Sequence, residues 1–234
     1  MKKSITFFFL FFLLNLQAQG ENGSYFGFYA GVNQAFLHSD LFESSSGTGY
    51  QFGLSAGNYI HEKGDIIVEI ELTTNIVKVH GTYAEESAHE GENIMDVYRI
   101  NNAGVNTYYN HYFIINDEGN GFYVSGLGGF KLTIGNDWRL ASINDSQDDI
   151  YYGHPLINSS NLTGYGKFNT YYGFGIAVGT YKLRAVLMYH HSLSDLLGKT
   201  IYKEYYDGGL HNDAESVTGI VKLSSISLNL IYKL

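Results

Sequence analysis

"SSISLNLIYKL", Ser224 to Leu234, alternates at every position. Ile226, Leu228, Leu230, Tyr232 and Leu234 fall on one face; Ser225, Ser227, Asn229, Ile231 and Lys233 fall on the other. A period of two is the signature of an extended strand, and here it runs to the last residue. Terminal segments fray unless something ties them down. This strand is therefore expected to be paired along its edges, with its apolar face turned away from water.

The same pattern recurs upstream. Strand-like runs are "SYFGFYAGVNQAFL" (Ser24–Leu37), "YQFGLSAGNYI" (Tyr50–Ile60), "IIVEIELTTNIVKV" (Ile66–Val79), Ile94–Ile115, "FYVSGLGGFKLTI" (Phe122–Ile134), "FNTYYGFGIAVGTY" (Phe168–Tyr181) and "KLRAVLMYHHSL" (Lys182–Leu193). With the terminal run they make eight. Their connections alternate long and short: "HSDLFESSSGTG", "HEKGD", "HGTYAEESAHEGEN", "NDEGNG", the stretch Gly135 to about Lys167, almost nothing at Tyr181, then "KEYYDGGLHNDAES". Short turns on one side and long loops on the other are the rhythm of outer-membrane barrels, and an even strand number returns both termini to the same side.

Composition agrees. The chain has 234 residues with 21 Tyr, 15 Phe, 28 Gly and 1 Pro, as suits long strands in which proline would delete ladder hydrogen bonds. It has no cysteine, so disulfides play no part. A net charge of −9 excludes nucleic acid as a partner, because no basic patch exists to displace phosphate counterions. "MKKSITFFFLFFLLNLQAQG" (1–20) has the basic start, short apolar core and small-residue end of a secretory signal peptide, which leaves 21–234 as one domain. Beyond it no apolar run approaches the length of a membrane helix, so membrane insertion has to use strands.

The faces say which way round the barrel is built. Ile66, Val68, Ile70, Leu72 and Ile76 oppose Glu69, Glu71, Thr73 and Asn75; Phe168, Tyr172, Phe174, Ile176 and Val178 oppose Asn169, Gly173, Gly175, Ala177 and Gly179. Phe26, Phe28, Ala30 and Val32 oppose Gly27, Gly31 and Asn33. With only 16% charged residues, the glycine and amide faces are too poor in charge for a solvated exterior. The apolar faces are expected to meet lipid, and the small and polar ones to fill a narrow lumen. Tyr25, Tyr50, Tyr59, Tyr123, Tyr181, Tyr189 and Tyr232 are placed as interfacial girdles, and a bulge is expected near Ala103 and Gly104.

"GFYAGVN", "VYRI…YYNHYFI", "YVSGLGGFKL", "YYGFGIAVGTYKL" and the alternating ending together resemble the small outer-membrane β-barrel domain family of Gram-negative bacteria, in its PorT-like group. The architecture is similar to the OmpA transmembrane domain. The likeness covers nearly the whole mature chain. It implies location more than task, since members serve structural, adhesive and secretion-associated roles. The ending is similar to the strand signal read by the barrel assembly machinery, with Leu234 where a final aromatic is usual and Tyr232 two residues earlier.

Candidate chemistry is sparse. Glu69 and Glu71 share a strand face, their carboxylates roughly 7 Å apart, which approaches the spacing of inverting glycosidases. Lys131, Lys182 and Arg184 occupy matching polar faces, so a lumen ion-pair network is the preferred reading of all five. His190 and Ser192 have the H-x-S spacing of lipid A deacylases, with Glu69 or Asp195 as a conceivable acid, but they share parity with Lys182 and Arg184 and so point inward. His190 and His191 face opposite ways and cannot chelate together. His80, His89, His154 and His211 show no ligand spacing, the loop acids Asp145, Asp148 and Asp149 lack the order of a calcium loop, and the N-x-S/T triplets at Asn144, Asn158 and Asn161 read as polar loop.

The expectation is an all-β, eight-stranded antiparallel up-and-down transmembrane β-barrel. It is a monomer in the outer membrane with periplasmic termini, in contact with lipid and lipopolysaccharide. Its role is structural or interactive through the loops, without catalysis, metal or cofactor. The alternatives are a secreted or periplasmic lipocalin-like carrier of an apolar ligand, and an outer-membrane lipid-modifying hydrolase built on His190 and Ser192.

Overall fold

The structure, a computed structural model, describes residues 23–83, 93–116, 121–140, 150–152, 157–158, 168–196, 201–207, 210–217 and 219–234. The expected signal peptide, His89, His154, Asp145, Asp148, Asp149, Asn144 and Asn161 lie outside the described residues, as do the side chains of Asn158 and His211. The described elements are β1 (Ser24–Ser39), β2 (Ser44–His61), β3 (Gly64–Tyr83), β4 (Asn93–Asn116), β5 (Phe122–Leu140), β6 (Ile150–Tyr152), β7 (Ile157–Asn158), β8 (Phe168–Gly179), β9 (Leu183–Ser192), β10 (Ile201–Asp207), β11 (Leu210–Val217) and β12 (Val221–Lys233).

Eight of these strands close a ring in the order β1, β2, β3, β4, β5, β8, β9, β12, with every neighbour antiparallel. The closing seam joins the first and last strands from Gly27 opposite Lys233 to Ser39 opposite Val221. The terminal strand thus has β1 on one edge and β9 on the other, which removes the free edge that would otherwise template aggregation. The short strands β6 and β7 extend the sheet beside β3, and β10 with β11 forms a separate hairpin. The start of β1, the end of β12 and the tight turns gather at one end of the tube, here the turn end; the longer connections leave from the loop end.

Three details depart from the reading of the sequence. The first outer connection is not a twelve-residue loop, since β2 begins at Ser44 and leaves only Asp40–Glu43. Small residues let this segment pair with β3, where Ser44 opposes Val79 and an irregularity sits between Ser46 and Tyr50. Second, β4 keeps its in–out alternation from Asp96 to Tyr112 straight through Ala103 and Gly104. The extra residue at that height is on the partner strand, because Asn101 opposes Asp137 while Ala103 opposes Ile134. Gly135 has φ +84° there, a left-handed turn that glycine takes without steric cost. The bulge on β4 itself comes at Phe113. Third, several strands run past their expected ends, β5 as far as Leu140.

Candidate functional site

The outward positions form an apolar belt. Phe28, Val32, Phe52, Leu72, Phe130, Leu132, Phe168, Phe174, Ile176, Leu187, Leu228 and Leu230 are all exposed, Phe168 to 68%. Phe168 to Val178 covers roughly 33 Å of strand, or about 25 Å of height at the usual barrel tilt of about 40°, the thickness of an outer-membrane hydrocarbon band. Tyr50, Tyr59, Tyr181 and Tyr232 stand exposed near the ends of the belt. Tyr25 and Tyr123 do not join them. Both turn into the lumen, Tyr25 to donate a 3.0 Å hydrogen bond to Asp65 Oδ2. Gly57 lies under the Tyr25 ring, where a Cβ would collide with it.

The central lumen is built from alternate residues of facing strands. Glu71 forms an ion pair with Lys131, which reaches across from β5. Asn106 Nδ2 on β4 donates to Glu71 Oε2 at 2.9 Å and to Glu69 Oε2 at 3.2 Å, holding the two carboxylates together. Tyr29 donates to Glu71 Oε2 at 3.1 Å, Thr73 to its Oε1 at 2.8 Å, and Ser55 to Glu69 Oε1 at 3.5 Å. Lys131 also lies over the Tyr171 ring, 5.7 Å from its centroid. Gln51 donates to Asn229 Oδ1 at 2.7 Å, a separate buried contact between β2 and β12. A buried ion pair needs such company, because each unfilled lone pair costs free energy once water is excluded.

A second polar layer sits at the turn end. Arg184 is fully buried; it donates from Nη1 to Tyr25 Oη at 3.2 Å and from Nη2 to Asn110 Oδ1 at 3.1 Å. Asn110 Nδ2 in turn donates to Asp65 Oδ1 at 2.6 Å. Tyr25 and Asn110 thus carry the attraction between Arg184 and Asp65. Between the two polar layers lie Ile67, Leu127, Val186 and Ile231.

Of the five sequence-derived ion-pair candidates, Glu69, Glu71 and Lys131 meet in the central layer and Arg184 lies in the turn-end layer. Lys182 is excluded: β8 ends at Gly179, and the turn to β9 carries Lys182 outside, exposed. Asp65, Asn106, Asn110 and Lys233 were not singled out from the sequence. Parity was the available signal: Asp65 falls with Glu69, Lys233 with Asn229, and Asn106 and Asn110 on the face opposite Val105. Glu69 and Glu71 share the Asn106 amide, and Glu71 is ion-paired to Lys131 in the filled lumen, which is not the arrangement of a glycosidase pair.

His190 and Ser192 both point inward and are buried, with different partners. His190 Nε2 pairs with Tyr108 Oη at 2.7 Å, while Ser192 donates to the Ser194 carbonyl at 2.5 Å. His191 is on the outer face, its Nδ1 2.7 Å from Ser224 Oγ.

At the loop end the interior changes character. Ala35, Leu37, Val77, Val79, Tyr98, Ile100, Val221 and Leu223 face inward, and Leu41, Phe42 and Leu196 fold over them from the connections. Backbone bonds pin this cover: Leu196 N–H to the Val221 carbonyl at 2.8 Å and His80 N–H to the Glu43 carbonyl at 3.0 Å. The lumen is a stack of polar and apolar layers under an apolar plug.

A closed ring that is greasy outside and polar at mid-height inside defines the class: this is an eight-stranded antiparallel transmembrane β-barrel. The belt and central network also rule out an interior apolar cavity of the lipocalin kind at mid-height. No family model matches the chain, and no curated protein matches it. Among solved structures it is similar to Ail, the attachment invasion locus protein of Yersinia pestis, at 12% identity over 92% of this chain and 100% of that one, with a TM-score of 0.44. Ail in complex with the heparin analogue sucrose octasulfate gives 12% identity over 90% and 99%, TM-score 0.43. Neisserial surface protein A gives 15% identity over 91% and 99%, TM-score 0.38.

Proposed function

We propose that the protein is an integral outer-membrane barrel of the small, PorT-like kind, closed to solutes, whose work is done by the loop end in structural or binding contacts outside the cell. The observation that carries this reading is the pairing of an apolar belt with a plugged, hydrogen-bonded lumen. Among the described residues such a tube can sit in a membrane but offers no path along its filled lumen. The turn end, with both chain ends, faces the periplasm. Lys78, Arg99, Arg139, Lys222 and His38 lie at the loop end and suit the phosphate-rich headgroups of lipopolysaccharide. The terminal strand serves the assembly machinery, and the chain acts as a monomer.

The test is electrical and topological. Purified barrel in planar bilayers is expected to give no steady large currents, and a tag after Leu234 in whole cells is expected to be inaccessible from outside. A stable open channel, or a surface-exposed tag, would remove the reading. Protein that stays folded and dispersed in buffer without detergent would remove the membrane assignment altogether.

A further inference from the structure

The turn-end layer holds three buried charges, and two of them are positive. Asp65 and Arg184 are fully buried, and Lys233 is 5% exposed. Asp65 is satisfied by Tyr25 and Asn110, and these same groups take two of the Arg184 donors. The Lys233 ammonium has only aromatic faces, 4.3 Å from the Tyr25 centroid and 4.9 Å from that of Tyr123. No ion pair reaches it among the described residues. Three further donors in the layer lack an acceptor, Arg184 Nε and the hydroxyls of Tyr123 and Tyr112. Tyr123 and Arg184 lie at one height on either side of β8, since Tyr123 opposes Gly179 and Gly179 opposes Arg184, and the Tyr123 hydroxyl lies over that glycine.

A buried ammonium, a buried guanidinium N–H and a buried hydroxyl without an acceptor are the complement of an anion. Water would fill the hydrogen bonds but leave the extra charge. Within the lumen the nearest surplus carboxylate belongs to the Glu69–Glu71 layer, four residues or roughly 13 Å of strand along β3 from Asp65 and beyond the apolar layer. That carboxylate is already held by Asn106 and Lys131 in its own layer.

We propose that the turn end of the lumen is a binding site for one small monovalent anion, of halide or short carboxylate size, held by Lys233 Nζ, Arg184 Nε and Tyr123 Oη. One negative charge brings the layer to neutrality and gives these three donors an acceptor. The tight packing of Tyr25, Tyr112 and Tyr123 excludes bulky anions.

Chloride titrated against gluconate at constant ionic strength tests this on the folded barrel in detergent. The readout is the temperature at which the folded band is lost on gels. The wild-type temperature is expected to rise and saturate with chloride. Lys233→Met is expected to be insensitive, with a temperature in gluconate no lower than wild type. Tyr123→Phe keeps the ring and loses the hydroxyl; its half-saturating chloride is expected to rise about 10-fold, the worth of one hydrogen bond to a charged group. Crystals grown in bromide should show an anomalous peak between the three donors. A wild type indifferent to chloride, an equal response in Lys233→Met and Tyr123→Phe, or a bromide crystal without that peak would each overturn the proposal. Should Lys233→Met fail to fold, Tyr123→Phe and the bromide crystal decide it.

Discussion

Two stretches of the same tube solve the problem of a narrow interior in opposite ways. At mid-height Glu71, Lys131, Asn106 and Tyr29 face inward, and residues such as Leu72, Phe130 and Leu228 face outward. At the loop end Val77, Val79, Ile100 and Leu223 face inward under Leu41, Phe42 and Leu196, while Lys78, Arg99 and Lys222 hold outward register positions. The barrel therefore reverses sidedness along its axis. Solvent explains the reversal. Within the bilayer the apolar surface is satisfied by acyl chains, and polar groups can be satisfied only by one another inside. Above the bilayer water takes the outer face, and hydrophobic burial moves inside as in a soluble protein.

Breaking the polar half should cost most. Lys131→Met leaves Glu71 and Glu69 buried without a cation, and a loss of about 3–5 kcal/mol is expected in urea unfolding of the refolded barrel. Adding Glu71→Leu to the same chain is expected to restore most of it, because the penalty is for an unpaired charge. A double variant as unstable as the single one would show that the pair itself is required. In the belt, Leu228→Arg puts a cation on the lipid face near mid-height and should cost about 2–4 kcal/mol by the same measurement. Equal stability of that variant in lipid would mean the belt does not lie in hydrocarbon. The plug should be somewhat more forgiving. Leu196 is fully buried but comes from a connection that can settle, so Leu196→Ala is expected to cost about 2–3 kcal/mol. No change would place Leu196 outside the core.

Much of this was legible beforehand because a strand has only two faces. Once one apolar face is fixed, parity assigns every neighbour, which is why Glu69, Glu71, Arg184 and His190 could be placed inside from sequence. Parity fails where the period breaks. Lys182 shares parity with Arg184 but sits in a turn. Tyr25 and Tyr123 share parity with Gly27 and Lys131 and so belong inside; reading them as girdle residues weighed their place at strand ends over that parity. The Ser–Gly run before Tyr50 looked like a loop, because small residues pair only when a neighbouring strand supplies the register.

Local pattern by itself determined the strands, their number and which face meets lipid, since these follow from a period of two and the cost of burying polar backbone. Only the tertiary structure decided which polar side chains share a layer, that the loop end is plugged by Leu41, Phe42 and Leu196, and that Lys233 stands beside Arg184. Those outcomes depend on the stagger between strands far apart in sequence, a long-range quantity that no local periodicity contains.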